Sequence, residues 1–355
     1  MKYRINMKSA AAKVKGQGVG SAYEEQVELV KTGLADRFEV SVNAHKTGDI
    51  THYHTINLPF YLSIPMAKLK GVTVGYVHFL PETVEQSLKL PKIARKTFYR
   101  YMLSFYKHMD YLVTVNPYFI ERLAAYGVDP AKVTYIPNFV SERDFYRVSP
   151  EEKSALRERY GISPDRFTVV GAGQLQTRKG IFDFFECARR LPEMQFVWAG
   201  GFSFGKITDG YEEIKRVMAD PPENLKFLGI VDRSEMNGIY NLGDVMFLPS
   251  FEELFPMTIL EAMNSKIPLL LRDIPIYENI LFDYYLREDG VDGFVSALTR
   301  LRDDPEYYAK AQADSWRGHE FYNREHVLSM WDEFYSARAA ELVKRKSKEK
   351  KRLPA

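Results

Sequence analysis

From Phe167 to Leu271, short uninterrupted apolar runs recur between stretches that suit helices. Phe167-Thr-Val-Val-Gly-Ala-Gly173 reads as a strand entering a glycine turn, and a helix is expected from about Ile181 to Leu191. Strands at Gln195–Trp198, Leu225–Leu228, Val245–Leu248 and Pro268–Leu271 alternate with helices near Tyr211–Met218, Ser234–Tyr240 (with Ser234 as cap) and Pro256–Met263. Strands that are apolar throughout are buried on both faces, and strand–helix alternation at this spacing predicts a parallel, doubly wound sheet.

The first half repeats the alternation with a more polar opening, Lys2–Lys8. Strands are expected at Phe38–Val42, Ile50–His54, Thr73–His78, Tyr111–Val115 and Val133–Ile136. Helices fit Ala22–Lys31, Leu58–Lys68, Lys92–Lys107 and Pro117–Ala125. The linker is expected within Pro137–Pro164, and past Leu301 the chain reads as helical, ending in one long helix over Phe321–Glu341. At about 150 residues per domain, 355 residues make roughly two. The expected division is an N-terminal Rossmann-like domain over 1–145, a second over 146–320, and a C-terminal helix and basic tail over 321–355.

Lys+Arg number 49 against 47 Asp+Glu, a balance unlike that of proteins that coat nucleic acid, and no nucleic-acid motif is present. The one cysteine, Cys187, forms no internal disulfide and no cysteine metal site, so a reducing cytoplasm is the expected compartment. The N-terminus lacks a signal peptide's apolar core, and the best span candidate, Leu58–Ala67, is short and holds two prolines. The charge is nonetheless uneven, with basic islands near the N-terminus, over Lys89–Lys107 and in the tail from Lys344 to Arg352. In the middle island Lys92, Arg95, Lys96 and Arg100 interleave with aromatic residues and no acid. That composition suits a helix lying on an anionic bilayer, or a solvated basic face over an aromatic core.

Four elements carry residue types that suit ligand binding. In Glu253-Leu-Phe-Pro-Met-Thr-Ile-Leu-Glu261, Pro256 suits a helix start whose free amides at Met257 and Thr258 receive an anion. Two carboxylates flanking such a start suit a ligand with hydroxyls on either side of a phosphate; as a structural alternative they are solvated acids. Gly173-Gln-Leu-Gln-Thr-Arg-Lys-Gly180 puts Arg178 and Lys179 at a strand-to-helix turn, where they grip a diphosphate or stay solvated. Gly16-Gln-Gly-Val-Gly20 allows close backbone approach to a ligand. His78 ends a strand, the edge at which open α/β sheets bind ligands, whereas His52 and His54 read as packing or wall residues.

Together, and in this order, these elements resemble the retaining glycosyltransferases of the GT-B fold, family GT4. Gly173–Gly180, Asn224–Gly229, Gly243–Ser250 and the Glu253/Glu261 pair carry the likeness in the second half. Gly18–Gly20, Asp49–His54, His78 and Ile136–Asn138 carry it in the first. Lys179–Phe184 and Leu271–Tyr277 look most like Gram-positive enzymes that glycosylate diacylglycerol glycolipids.

The resemblance implies two Rossmann-like α/β domains facing across a cleft, with the C-terminal helix returning toward the N-terminal domain. It implies a metal-independent, retaining hexosyltransferase that needs no cofactor and moves glucose or galactose from a UDP-sugar to diacylglycerol or a glycosyldiacylglycerol. Arg178 and Lys179 would hold the diphosphate, Glu261 the ribose, and Glu253 and His78 the donor sugar. Gly18, Gly20, Phe255, Met257 and Thr258 would complete the donor site. The implied location is the inner face of the cell membrane, peripherally bound. The family's usual arginine beside the first glycine turn is Gln174 here, and Pro256 replaces a frequent glycine. The alternatives are a soluble, polysaccharide or protein-glycan acceptor, and an inactive nucleotide-sugar-binding scaffold.

Overall fold

A computed structural model describes residues 2–10, 18–81, 91–203, 205, 208–253 and 255–350. It divides into two compact units. The first holds residues up to Pro81, Pro91–Phe139 and the chain from Arg324 onward; the second holds Val140–Asn323. The chain passes from the first unit to the second after Phe139 and returns at Arg324, so the last helix belongs to the first unit.

The first unit is built on β1 (Tyr3–Lys8), β2 (Phe38–Val42), β3 (Ile50–Tyr53), β4 (Val72–Val77), β5 (Tyr111–Thr114) and β6 (Val133–Tyr135). All pairings are parallel, in the order β2-β1-β3-β4-β5-β6. Its helices are α1 (Gly18–Gly33), α2 (Leu58–Lys70), α3 (Lys92–Lys107), α4 (Tyr118–Ala125) and the final one described below. The polar opening strand is explained by Asn6, which is fully buried: its amide donates to the Ala44 and Lys46 carbonyls at 2.9 and 2.8 Å. A strand flanked on both sides therefore spends one buried polar side chain pinning the 43–48 turn, with every hydrogen bond made.

The second unit holds β7 (Thr168–Ala172), β8 (Gln195–Ala199), β9 (Leu225–Gly229), β10 (Val245–Leu248), β11 (Leu269–Arg272) and β12 (Leu286–Glu288), again all parallel. The order β12-β11-β10-β7-β8-β9 is that of a doubly wound dinucleotide-binding sheet. Its helices are α5 (Pro150–Arg159), α6 (Ile181–Arg190), α7 (Tyr211–Ala219), α8 (Arg233–Leu242), α9 (Met257–Asn264), α10 (Pro275–Leu281), α11 (Gly290–Asp303) and α12 (Pro305–Phe321). On α6 the residues Ile181, Phe184, Cys187 and Ala188 fall on one face and are fully buried, with Phe184 edge-on to Phe196 and Trp198.

Several expectations are corrected. The expected linker contains α5, started by Ser149, whose hydroxyl accepts from the Glu152 amide at 3.2 Å. Asp232, rather than Ser234, stands at the start of α8, and its side chain makes no capping bond. The C-terminal helical region breaks at Tyr322–Asn323 before α13 (Arg324–Lys350). That last helix packs on the first unit through Trp331 and Tyr335, while its Asp332 binds Arg37 at 2.6 Å and its Glu341 accepts from the Tyr111 hydroxyl at 2.7 Å. The β12 strand was not legible beforehand: three residues without an apolar run carry no pattern.

Candidate donor site and histidine column

In the second unit, β7 is followed by a strand on one side and by β10 on the other, so the topological switch lies between the carboxyl ends of β7 and β10. Both candidate motifs leave from there. After Gly173 the chain makes a 3₁₀ turn, Thr177–Lys179, and enters α6 through Gly180 at φ 69°. A Cβ on Gly180 would lie 2.1 Å from the Pro249 carbonyl oxygen, so only glycine lets the turn press against the end of β10. The two loops are then joined: the Phe251 amide donates to the Arg178 carbonyl at 2.8 Å, and Arg178 Nη1 donates to the Glu252 carbonyl at 3.0 Å.

This zipper brings Lys179 and Glu253 together. Lys179 Nζ donates to Glu253 Oε1, Arg178 Nη1 stands 3.9 Å from Oε2, and both members of the pair are buried. Burial pulls the Lys179 ammonium below the ordinary lysine range; the Glu253 charge opposes that and Arg178 adds to it. The sequence alternative of solvated charges is excluded for Lys179 and Glu253.

Glu261 lies eight residues on, inside α9 and buried. Arg233 Nη1 donates to its Oε1 at 2.7 Å, and the Tyr240 hydroxyl donates to its Oε2 at 2.5 Å. The Tyr240 hydroxyl is held far above its ordinary pKa by burial and by Glu261. Sequence reasoning missed Arg233 and Tyr240. Their signal was a seven-residue spacing, which puts them on one face of α8 two turns apart.

Unused hydrogen-bonding capacity collects in these two loops, at the start of α9 and on α10. Gln176 Oε1, Arg178 Nε, Ser250 Oγ, Thr258 Oγ1 and the Tyr277 hydroxyl are buried without a hydrogen-bond partner among the described residues. Orphaned buried polar atoms are uncommon in native proteins, and several on two loops and one helix start suit a polar ligand that supplies the partners. Phe255 and Met257 are buried beside them, and Pro256 occupies the position preceding α9.

The first unit carries the other candidates. His78 directly follows β4, is buried, and stacks on Tyr76 with ring centres 4.3 Å apart at 9°. Tyr76 stacks in turn on His54 at 5.2 Å and on His52 at 5.7 Å, and His52 Nδ1 meets the Tyr335 hydroxyl of α13 at 2.8 Å. His52 and His54 are thus core members of an aromatic column, as their strand position suggested. Burial pushes His52 and His78 down to about 3 and His54 well below its usual value. All three are neutral imidazoles at neutral pH. His78 Nε2 and both nitrogens of His54 have no partner among the described residues.

Gly18 and Gly20 form the first turn of α1 instead of a loop before it; Gly16 and Gln17 lie outside the described residues. Of the basic island, Lys96 and Arg100 are exposed and Arg95 half-buried on α3, while the Lys92 side chain and Lys89 lie outside the described residues. Among the described residues no three His, Cys, Asp or Glu side chains converge as a metal site, and no helix is long and apolar enough to cross a membrane.

Residues 152–314 match the family model described as glycosyl transferases group 1, and residues 43–143 match glycosyltransferase family 4. The chain is 46% identical to the alpha-galactosylglucosyldiacylglycerol synthase of Streptococcus pneumoniae over 96% of its own length and 91% of that protein. It is 28% identical to the processive diacylglycerol alpha-glucosyltransferase of Acholeplasma laidlawii, covering 76% of this chain and 78% of that one. Among solved structures, Anabaena HepE in complex with UDP-glucose superposes with a TM-score of 0.75 at 13% identity, over 94% of this chain and all of that one. Sucrose-phosphate synthase from Thermosynechococcus elongatus gives 0.76 at 15%, over 96% and 100%. At such identities these two show a shared fold.

Proposed function

Since the chain belongs to glycosyltransferase family 4, with the GT-B fold, we propose that it transfers glucose or galactose from a UDP-sugar to a membrane lipid, diacylglycerol or a glycosyldiacylglycerol. One observation carries this reading: likeness over nearly both full lengths to a synthase of such glycolipids. The buried groups at the β7/β10 switch supply the chemistry. The bond from the anomeric carbon to the diphosphate oxygen breaks, the acceptor hydroxyl oxygen bonds to that carbon on the same face and gives up its proton to the departing UDP phosphate, and the configuration is retained.

Negative charge grows on the departing diphosphate. Arg178 and Lys179 meet it as fixed cations in a low-dielectric site, which is electrostatic stabilisation without reorganisation. Before the donor arrives, Glu253 opposes the downward pull of burial on the Lys179 ammonium. Donor binding exchanges partners: Lys179 turns to phosphate and Glu253 to the sugar hydroxyls. Glu261, fixed by Arg233 and Tyr240, receives the ribose hydroxyls. Thr258 and the first amides of α9, lined by Phe255 and Met257, receive phosphate oxygens. His78, held neutral, is a hydrogen-bond partner for the transferred sugar and not a cation. This chemistry requires no metal or further cofactor.

The lipid acceptor places the enzyme peripherally on the inner face of the cell membrane, with Lys92, Arg95, Lys96 and Arg100 of α3 against anionic headgroups. The test offers UDP-glucose, UDP-galactose, UDP-N-acetylglucosamine and GDP-mannose with diacylglycerol or glucosyldiacylglycerol, with and without anionic vesicles. A glycolipid formed from a UDP-hexose only with vesicles is expected. Donor hydrolysis without lipid product would move the acceptor to a soluble or polymeric glycan and overturn the lipid assignment.

A further inference from the structure

The helix α2 carries an apolar ridge that is left exposed among the described residues. Leu58, Leu62, Met66 and Leu69 are 58, 70, 56 and 83% exposed, at spacings of four, four and three that keep them on one face. The opposite face is fixed in the first unit through Ile64 and Ala67, both buried. Single exposed apolar residues are ordinary; four in register on one helix mark a surface that is covered in use.

Its neighbour identifies the cover. Tyr61 of α2 packs against Tyr101 and Phe105 of α3 with ring centres 5.5 and 5.9 Å apart, and its hydroxyl meets Ser104 Oγ at 2.9 Å. The two helices therefore lie side by side. Neither the 13 residues of α2 nor the 16 of α3 include an Asp or Glu, whereas Lys68, Lys70, Lys92, Arg95, Lys96, Arg100 and Lys107 all belong to them. Lys68 is paired with Asp110 at 3.0 Å. Ile93 on α3 is 84% exposed and adds a fifth apolar side chain.

We infer that α2 is a lipid-inserting element: Leu58, Leu62, Met66 and Leu69 enter the acyl region of an anionic leaflet while the cations of α3 stay at its headgroups. A second copy of the chain would bring two such basic faces together and repel, whereas an anionic bilayer meets both the charge and the apolar ridge. The inference rests on the membrane-lipid reading above and adds the residues that penetrate. Electrostatic adhesion alone fades at high salt; inserted apolar area does not. The two contributions are therefore separable.

The experiment is co-sedimentation of the full chain with phosphatidylglycerol–phosphatidylcholine vesicles in low salt and in about 0.5 M salt, where the screening length falls to a few ångströms. The variants are Leu58/Leu62/Met66/Leu69→Ser and Lys96/Arg100→Ser, with thermal melting and size-exclusion chromatography on each. The ridge variant is expected to bind at low salt but to lose roughly tenfold or more of its partitioning at high salt. The cation variant should lose the salt-sensitive part and keep the rest. A Leu62→Trp probe should be quenched by lipids brominated in the acyl chain. If the ridge variant sediments like the parent at high salt, or dissociates an oligomer without changing vesicle binding, the inference falls while the membrane reading stands. If the parent binds no vesicle at either salt, both fall.

Discussion

Lys179 and Glu253 form a buried ion pair between two loops that leave neighbouring strands of one sheet, and Arg178 stands 3.9 Å from the same carboxylate. Two cations and one anion in that space leave a net positive site, which is what an arriving diphosphate requires. The pair is stable because each partner makes the other's burial tolerable, and removing either leaves an uncompensated charge.

Glu253→Gln is therefore expected to cost about 3 kcal/mol of stability and at least roughly a hundredfold in kcat/KM. UDP adds the missing negative charge, so it should raise the melting temperature of this variant more than that of the parent. Differential scanning calorimetry with and without UDP, beside a transfer assay, checks both. An equal or smaller UDP effect in the variant would contradict the proposed partner exchange.

Glu261 is positioned by Arg233 and Tyr240 and stands away from the reacting bond in the proposed complex. Glu261→Gln should act mainly on donor binding, raising the donor KM roughly tenfold with a smaller change in kcat. Isothermal titration with UDP should show the same loss. Arg233→Ala should weaken UDP binding in the same direction, because the carboxylate loses one of its two anchors.

His52 and His78 bind a proton near pH 6.5 when unfolded and only near pH 3 when folded, His54 lower still. Between those values the unfolded chain holds more protons, so stability is fully present above about pH 6.5 and is lost as the pH falls toward 3. Each group contributes up to roughly 1.4 kcal/mol per pH unit across that window. Urea unfolding from pH 7 to 4.5 should show this slope, and Tyr76→Leu, which removes the ring between His54 and His78, should reduce it. The pH–rate profile above pH 5 should carry no limb from His78; a limb that disappears in His78→Asn would contradict its neutrality.

Gly180→Ala should be among the most damaging single-methyl additions in the second unit. Its φ of 69° disfavours any side chain, and the new Cβ meets the Pro249 carbonyl at 2.1 Å. The turn must move, and Lys179 moves with it. The expected result is a lower melting temperature together with lost donor binding, read by calorimetry and UDP titration; unchanged binding would uncouple the turn from the site.

Much of this protein was legible in its sequence. Short apolar runs alternating with helical stretches fit strands covered on both faces, so Phe167–Gly173, Val245–Leu248 and Pro268–Leu271 pointed to a parallel sheet with helices between its strands. The residues proposed for the donor site also stand out in the sequence, because charge beside a glycine turn or a proline-started helix has few structural uses. Local signals failed where tertiary structure competes: Ser234 as a cap, and the linker that holds a helix of its own, while the polarity of the first strand is explained only by Asn6, satisfied by a turn 38 residues away.

What sequence left open is which charges meet. Nothing in the spacing of Lys179 and Glu253, 74 residues apart, separates a buried pair from two solvated side chains. Nor does the apolar content of Leu58–Lys70 say which side of that helix faces outward. Local periodicity is encoded in neighbouring residues, and so the chain determined its strands, helices and motif chemistry alone. Pairing and exposure depend on which distant elements pack together, and that was decided only when the two sheets closed under their helices.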